Sequence, residues 1–423
     1  MNKKISLGVA ISIVALVAAI AVTITYTFAM RKFEERMSSV TDRQFTYAML
    51  TEIESKVRQK YAGDINYDTL LNEMADGLVD SLGDEACKYL SESEYDIEKN
   101  ELEGYEFGIG IEVSRATDGN ILVNRVHAGS PAATAGIQKG DVVTYVNSTS
   151  VLSMGYDKAV AQIGDAKADV SVKVLRGEDS ISFKMTKASF VKSSVQYSIN
   201  SGVGCIQIFD FNSRTLAQFN SAYSAIRSAG NISGLIIDIR DTTGGSLQEY
   251  ATACTVLDTL LPQGNLMLSV NSDGSSKVLY SSDSKGIDLK MVVLVNEKTA
   301  GAAELFASAI YDYGKCYIVG VPSYGQMTIQ EYFELSDGSA IKLTTGTWKT
   351  DTCAAISEGR IGGGAYFYNV PMSSYQETNR YILKVEEDPQ LSTAIELLKA
   401  DEKNNVSSSD AAAAATTATT AAA

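Results

Sequence analysis

Side chains able to do chemistry are sparse in this chain. His127 is the only histidine, so any imidazole-based triad or His-rich metal site would have to use it. It falls in the loop ahead of a capped helix, where a solvated side chain is expected. Cys87, Cys205, Cys254, Cys316 and Cys353 are odd in number and widely spaced, with no CxxC pair. That pattern is neither a disulfide framework nor a zinc site, and isolated cysteines behave as small buried hydrophobes. No metal or cofactor is expected. What stands out instead is backbone: Gly244-Gly245 in GLIIDIRDTTGGSLQEY and the turn NEKTAGAAE near residue 300. Each turn follows an apolar run and precedes a helical pattern, so each presents N–H groups of the kind an oxyanion hole requires.

The elements that would position these turns can be read from periodicity. Leu235–Ile239 and Met291–Val295 are short continuous apolar runs, expected as buried strands, and each leads into an amphipathic helix. From about residue 191 to 400 strands alternate with helices, which predicts an α/β layer architecture. Residues 31–100 carry apolar residues at helical spacing (Leu50, Ile53, Val57; Leu70, Leu71, Met74, Leu78) and read as a helical region. The last stretch, NNVSSSDAAAAATTATTAAA, is low-complexity with nothing to bury, and disorder is expected over 401–423.

Between 104 and 190 the pattern is β-rich. Ile121–Val126 is a strand, Ser130 caps a short helix with Pro131 at its first position, and Gly136 ends it. A second helix covers roughly Tyr156–Ile163. The order of elements and the phrase GSPAATAGIQKGDVVTYVN resemble a PDZ domain. The resemblance implies a peptide groove lined by Phe107, Gly108, Ile109, Gly110 and Ile111 on one side and by the second helix on the other. There a peptide adds as a strand, and its terminal carboxylate meets the N–H groups of the loop.

Composition and charge bound the rest. With 423 residues, two or three domains are expected. An apolar share of 45% and a charged share of 21% suit a globular protein. Lys+Arg 36 against Asp+Glu 51 leaves a net charge of -15 with no basic patch, which argues against nucleic-acid partners. From Ile5 to Met30 no residue is charged. As a helix that run would span about 39 Å, enough for a hydrocarbon core of roughly 30 Å. A cleaved signal peptide has a shorter apolar core and a small-residue cleavage site, which is missing before Arg31, so an uncleaved anchor is expected. Lys3 and Lys4 face Arg31, Lys32 and Arg36 across it, so charge alone does not orient it.

From about residue 45 to 399 the phrases DEACKYLSESEY, DIRDTTGG, NEKTAGAAE, YGQMTIQ, SDGSAIKLTTG and DPQLSTAIELL follow one another in an order that resembles the carboxyl-terminal processing peptidases, also called tail-specific proteases. The resemblance implies an α/β peptidase core (191–400) with an inserted PDZ domain (104–190) and a helical N-terminal region (31–103), after one transmembrane helix (1–30). It also implies a short cytoplasmic tip and an extracytoplasmic bulk at the cell membrane.

Such enzymes use a Ser-Lys dyad in which a neutral lysine takes the serine proton. Here the departures begin. The family serine position falls on Gly301 within Thr299-Ala300-Gly301-Ala302-Ala303-Glu304, and the family lysine position on Gln326 within Gly325-Gln326-Met327-Thr328-Ile329-Gln330. The third family position, a glutamine that orients the lysine, is retained as Gln330. Glycine has no attacking atom, and an amide is no general base near neutral pH. Thr299, Ser246 and Ser323 are the neighbouring hydroxyls, and none is at the required position. Gly244, Gly245 and Ala302 are expected to keep an oxyanion-like anion site. The expected function is a pseudopeptidase that binds peptides or protein C-termini. The alternatives are an active serine-type endopeptidase with an unconventional nucleophile, and a structural partner of an active relative or of a second copy.

Overall fold

The computed structural model describes residues 47–164, 169–271, 273–314 and 316–400, together with the isolated positions Tyr26, Met30 and Gln44. The expected anchor, apart from Tyr26 and Met30, and the expected disordered tail lie outside the described residues. Among the described residues no helix is long and apolar enough to cross a membrane. The chain divides into two compact units, Met1–Met74 and Ala75–Ala423.

The N-terminal region begins with a helix over 47–60 (α1), followed by α2 (Tyr67–Asp80). The helical periodicity is realised, but Leu50, Ile53 and Val57 of α1 are exposed. The helical reading of 31–100 needs one correction. A strand, β1 (Lys88–Leu90), lies inside it, drawn into a sheet by antiparallel pairing with a late strand at Ala340–Lys342 and by burial of Leu90. Helix α3 (Glu92–Leu102) follows, its first turn closed by Glu94 accepting from the N–H of Ser91.

The β-rich module starts with β2 (Tyr105–Gly108) and continues through β3 (Ile111–Arg115), β4 (Ile121–Val126), α4 (Pro131–Ala135), β5 (Val142–Val146) and β6 (Thr149–Ser150). Then come α5 (Val151–Met154), α6 (Tyr156–Gly164), β7 (Val170–Arg176), β8 (Asp179–Met185) and β9 (Ala188–Val191). The sheet order is β3-β4-β5-β7-β8, so β3 is an edge strand. The module enters and leaves through the antiparallel pair β2–β9. Helix α4 is capped as expected: the Ser130 hydroxyl accepts from the N–H of Ala133, and Gly136 ends the helix with φ of 94°.

The core comprises β10 (Val195–Asn200), β11 (Val203–Ile208), α7 (Thr215–Ser228), β12 (Gly234–Asp238), α8 (Leu247–Leu260), β13 (Pro262–Val270), β14 (Ser276–Lys285) and β15 (Met291–Val295). It continues with α9 (Ala302–Asp312), β16 (Cys316–Gly320), β17 (Thr328–Glu334), β18 (Ala340–Lys349), β19 (Ile356–Ser357), β20 (Arg360–Ile361), β21 (Phe367–Asn369), α10 (Ser374–Asn379) and a helix over 389–400 (α11). Strands β10-β11-β12-β15-β16-β21 form one sheet, parallel from β11 onward. Its central strands are buried on both faces, as strands of a covered parallel sheet must be. Leu235, Ile237, Met291 and Val293 pack in the cluster that holds α7, α8 and α9, while Ile236, Val292 and Leu294 pack against Ala394, Ile395 and Leu398 of α11. A second sheet, β1-β18-β13-β14 with β17 on β18, stands beside it. This layering brings the start of α8, the start of α9 and the loop before β17 together at the carboxyl ends of β12 and β15, the place where α/β sheets hold their ligands.

Candidate active site

Gly301 is the N-cap of α9 and has φ of 58° and ψ of -112°, a conformation open to glycine and hostile to other residues. Its N–H donates to the Glu304 carboxylate at 2.9 Å. The same carboxylate accepts from the N–H of Gly325 and of Gln326, both at 2.7 Å, and from the Ser323 hydroxyl. One buried acid three residues into α9 therefore sets both the N-cap and the loop that carries Gln326. Burial raises its pKa, against the opposing pull of these donors. The sequence reading missed Glu304; its signal was the turn-x-x-Glu spacing of a capping box.

The expected family positions do converge. The Gln326 Nε2 donates to Gln330 Oε1 at 3.1 Å, and Gln330 Nε2 donates to Thr328 Oγ1 at 2.7 Å. Both side chains lie over Gly245: a Cβ there would come within 2.1 Å of Gln330 Oε1 and 2.5 Å of Gln326 Nε2. The N–H of Gln330 donates to Gly245 O at 2.8 Å, which ties β17 to the start of α8. Trp348, the only tryptophan, closes the back of the loop by donating its indole N–H to Gln326 O at 3.2 Å.

The neighbouring hydroxyls are engaged elsewhere. Thr299 is fully buried; its hydroxyl donates to Ile239 O at 3.0 Å and accepts from the N–H of Asn296 at 3.0 Å. The Ser323 hydroxyl donates to Glu304 and accepts from the N–H of Ile361. Ser246 caps α8, accepting from the N–H of Glu249 and donating to its carboxylate.

The backbone donors differ from expectation. Gly244, Gly245 and Ala302 are adjacent, but their N–H groups do not share an open point. The Ala302 N–H donates to Gly244 O at 2.6 Å, and the Gly245 N–H donates to Glu249 Oε2 at 2.9 Å. In front of Gln326 lies an open cleft of about 670 Å³, lined by Asp84, Glu85, Asp241, Glu297, Lys298 and Met327 among others. Burial works to raise the Asp241 pKa, but Arg380 and Asn296 outweigh it and hold the carboxyl down at about 2.

In the β-rich module, the loop of the expected groove is pinned by its own backbone. Ile109 O accepts from the N–H of Ala132, and Gly110 O from the N–H of His127. Ile109 is buried in the module core beside Ile163 rather than lining open space, while Phe107 is exposed. The far end of the β3–α6 groove is bridged by Arg115, which pairs with Asp157 at 3.3 Å and stacks on Tyr156. His127 is a correction: it is buried. Its Nδ1 accepts from the N–H of Ser193 at 3.2 Å, its ring packs on Phe190, and its Nε2 faces Glu112. Arg125 also pairs with Glu112, and donates to Ser193 O at 2.7 Å. Burial would raise the Glu112 pKa; His127 and Arg125 bring it down to about 2. This cluster joins the module to the strand that enters the core.

Comparisons with known proteins agree with this architecture. The profile of Peptidase family S41 matches residues 202–362, and that of the PDZ domain matches residues 96–175. A probable CtpA-like serine protease of Staphylococcus epidermidis is 31% identical over 287 residues, covering 67% of this chain and 57% of its own length. The chain thus matches little more than half of that relative. The carboxy-terminal processing protease CtpA of Bacillus subtilis is 28% identical over 354 residues, 83% of this chain and 74% of that protein. Among solved structures, an S41 protease from Bacteroides fragilis aligns over 70% of this chain and 82% of its own, at 16% identity and a TM-score of 0.51, a likeness of fold. The photosystem II D1 C-terminal processing protease aligns over 81% and 92%, at 23% identity and a TM-score of 0.47. The chain belongs to the carboxyl-terminal processing peptidase family, with an S41 peptidase module and a PDZ module.

Proposed function

We propose that this chain is a membrane-anchored, extracytoplasmic pseudopeptidase that holds peptides or protein C-termini without cutting them. The observation that carries this reading is the pair at the expected dyad: a bare backbone at Gly301, and at Gln326 an amide hydrogen-bonded to the Gln330 amide. Neither has an atom that attacks a carbonyl or takes a proton near neutral pH. Thr299, Ser323 and Ser246 direct their hydroxyls into the fold rather than toward the cleft, so no neighbour supplies the nucleophile.

Binding rests on different atoms. The free edge of β3 offers main-chain donors and acceptors to an added strand, and the Gly108–Gly110 loop offers N–H groups to a terminal carboxylate. Residues 5–30 supply the anchor, with the Lys3–Lys4 end inside and the chain after Arg31 outside.

The test uses the full-length protein in detergent, immobilised and offered a mixture of peptides with free C-termini. Retained peptides should be recovered at full length by mass spectrometry. Recovery of truncated peptides only would overturn the reading. Protease added to intact cells should remove the region after Arg31 and spare the Lys3–Lys4 end; protection of the whole chain would show the opposite orientation.

A further inference from the structure

We infer that the peptide group between Gly244 and Gly245 is a backbone plug, seated on Gly301 and latched by Glu249, that keeps the anion-binding position at the start of α9 closed. This inference does not depend on what the PDZ groove binds.

In a trans peptide the C=O and the N–H point in opposite directions. Here the carbonyl of that unit is the acceptor for the Ala302 N–H at 2.6 Å, and its N–H is the donor to Glu249 Oε2 at 2.9 Å. Both of its polar groups are thus satisfied by the protein, at the starts of two different helices. An oxyanion held jointly by the Gly245 and Ala302 N–H groups would need this peptide turned over, with loss of both bonds. Glu249 opposes that turn: its Oε2 also accepts from the Ser246 N–H and hydroxyl, so the carboxylate is fixed where it meets Gly245.

Gly301 is what makes room. A Cβ built on it falls 1.8 Å from Gly244 O and 3.2 Å from Tyr250 Oη. No side chain fits at 301 while the carbonyl stays where it is. Gly244 itself has φ of 141°, another conformation that favours glycine. The absence of a nucleophile and the closure of the anion position are therefore one structural fact. With any side chain at 301 the peptide must move out, and with glycine it moves in. Glu249 is a positioning residue, acting through the Gly245 N–H.

The experiment is amide hydrogen exchange on the full-length protein, wild type against Gly301→Ala and Glu249→Gln. Gly129→Ala is the control, since Gly129 has φ of 75° but open space around its Cβ position. Gly301→Ala should lower the melting temperature more than Gly129→Ala does and remove protection at Gly245 and Ala302. Glu249→Gln leaves residue 301 untouched, and should speed exchange at Gly245 and Ala302 together by about tenfold while residues 305–310 of α9 keep their protection. Emission from Trp348, whose ring centroid lies 6.3 Å from that of Tyr250, should shift in Gly301→Ala alone among the two glycine variants. If Gly301→Ala is no worse than the control, with unchanged protection at 245 and 302, there is no plug. If Glu249→Gln loosens Gly245 and leaves Ala302 protected, Glu249 is only a helix cap and the latch is refuted; that readout decides the matter even where Gly301→Ala does not fold.

Discussion

The PDZ groove and the peptidase core of this chain meet different demands. The groove's recognition atoms are backbone: the free edge of β3 and the N–H groups of a glycine loop whose carbonyls are pinned on α4 and His127. Where the resemblance puts a serine and a lysine, the core carries Gly301, with no side chain, and Gln326, with an amide. Main-chain recognition survives so long as the fold does, whereas catalysis is lost with a single atom. The core nevertheless keeps its supporting groups. Glu304 gathers four donors, from Gly301, Ser323, Gly325 and Gln326, and so ties the start of α9 to the loop before β17.

The largest effect is expected at the dyad positions. Losing a serine nucleophile or its base typically costs about 10⁶ in turnover, and losing both costs little more. Gly301→Ser alone and Gln326→Lys alone should each restore nothing, because each lacks its partner. The combination should remain at least roughly 10³-fold below an active relative in a peptide-cleavage assay, since the new side chain must drive the Gly244 carbonyl out against the hold of Glu249 on the Gly245 N–H. Full recovery in the double variant would show that the site is open and merely missing two groups.

Next in size is Glu304→Ala. Removing one acceptor strands the N–H group of Gly301 in a buried setting and those of Gly325 and Gln326 in a half-buried one, where an unsatisfied buried group costs about 1–3 kcal/mol. Chemical denaturation should show a loss of at least about 3 kcal/mol, with the PDZ module's own packing unchanged. A loss under about 1 kcal/mol would mean that Glu304 is not the organiser of the site.

How far these features were legible beforehand depended on where their signals lie. The buried strands around Ile236 and Val293, the Ser130–Pro131 cap and the convergence of residues 245, 301, 326 and 330 were readable, because apolar runs, cap residues and motif order are local. The burial of His127 was not, because it arises from Phe190 and Ser193, more than sixty residues away. Nor was the closure of the anion position, which depends on which way one peptide plane faces. The apolar stripe of α1 predicts a helix, and a helix forms, but periodicity does not tell whether a face is covered.

On the PDZ side, amidating the C-terminus of a bound peptide removes the charge that the Gly108–Gly110 loop would receive. Calorimetry should show a loss of about 1.5–3 kcal/mol. Equal affinity for acid and amide would place the peptide elsewhere.

The smallest effect concerns the junction between the two regions. Glu112 titrates at about 2 in the folded protein, below its ordinary value of 4.5. Its contribution to stability is therefore present above the ordinary value and is lost as the pH falls from there toward 2. In Glu112→Gln that part of the acid-induced loss of stability should disappear. An unchanged acid profile would show that the His127–Glu112–Arg125 cluster does not couple to folding.

Catalytic silence can be measured by incubating the full-length protein with an unfolded protein substrate and counting cleavages per molecule over a day, beside an active relative. We predict no cleavage above that of the substrate alone. Repeated turnover that co-elutes with the folded protein and vanishes when it is unfolded would show a working peptidase instead.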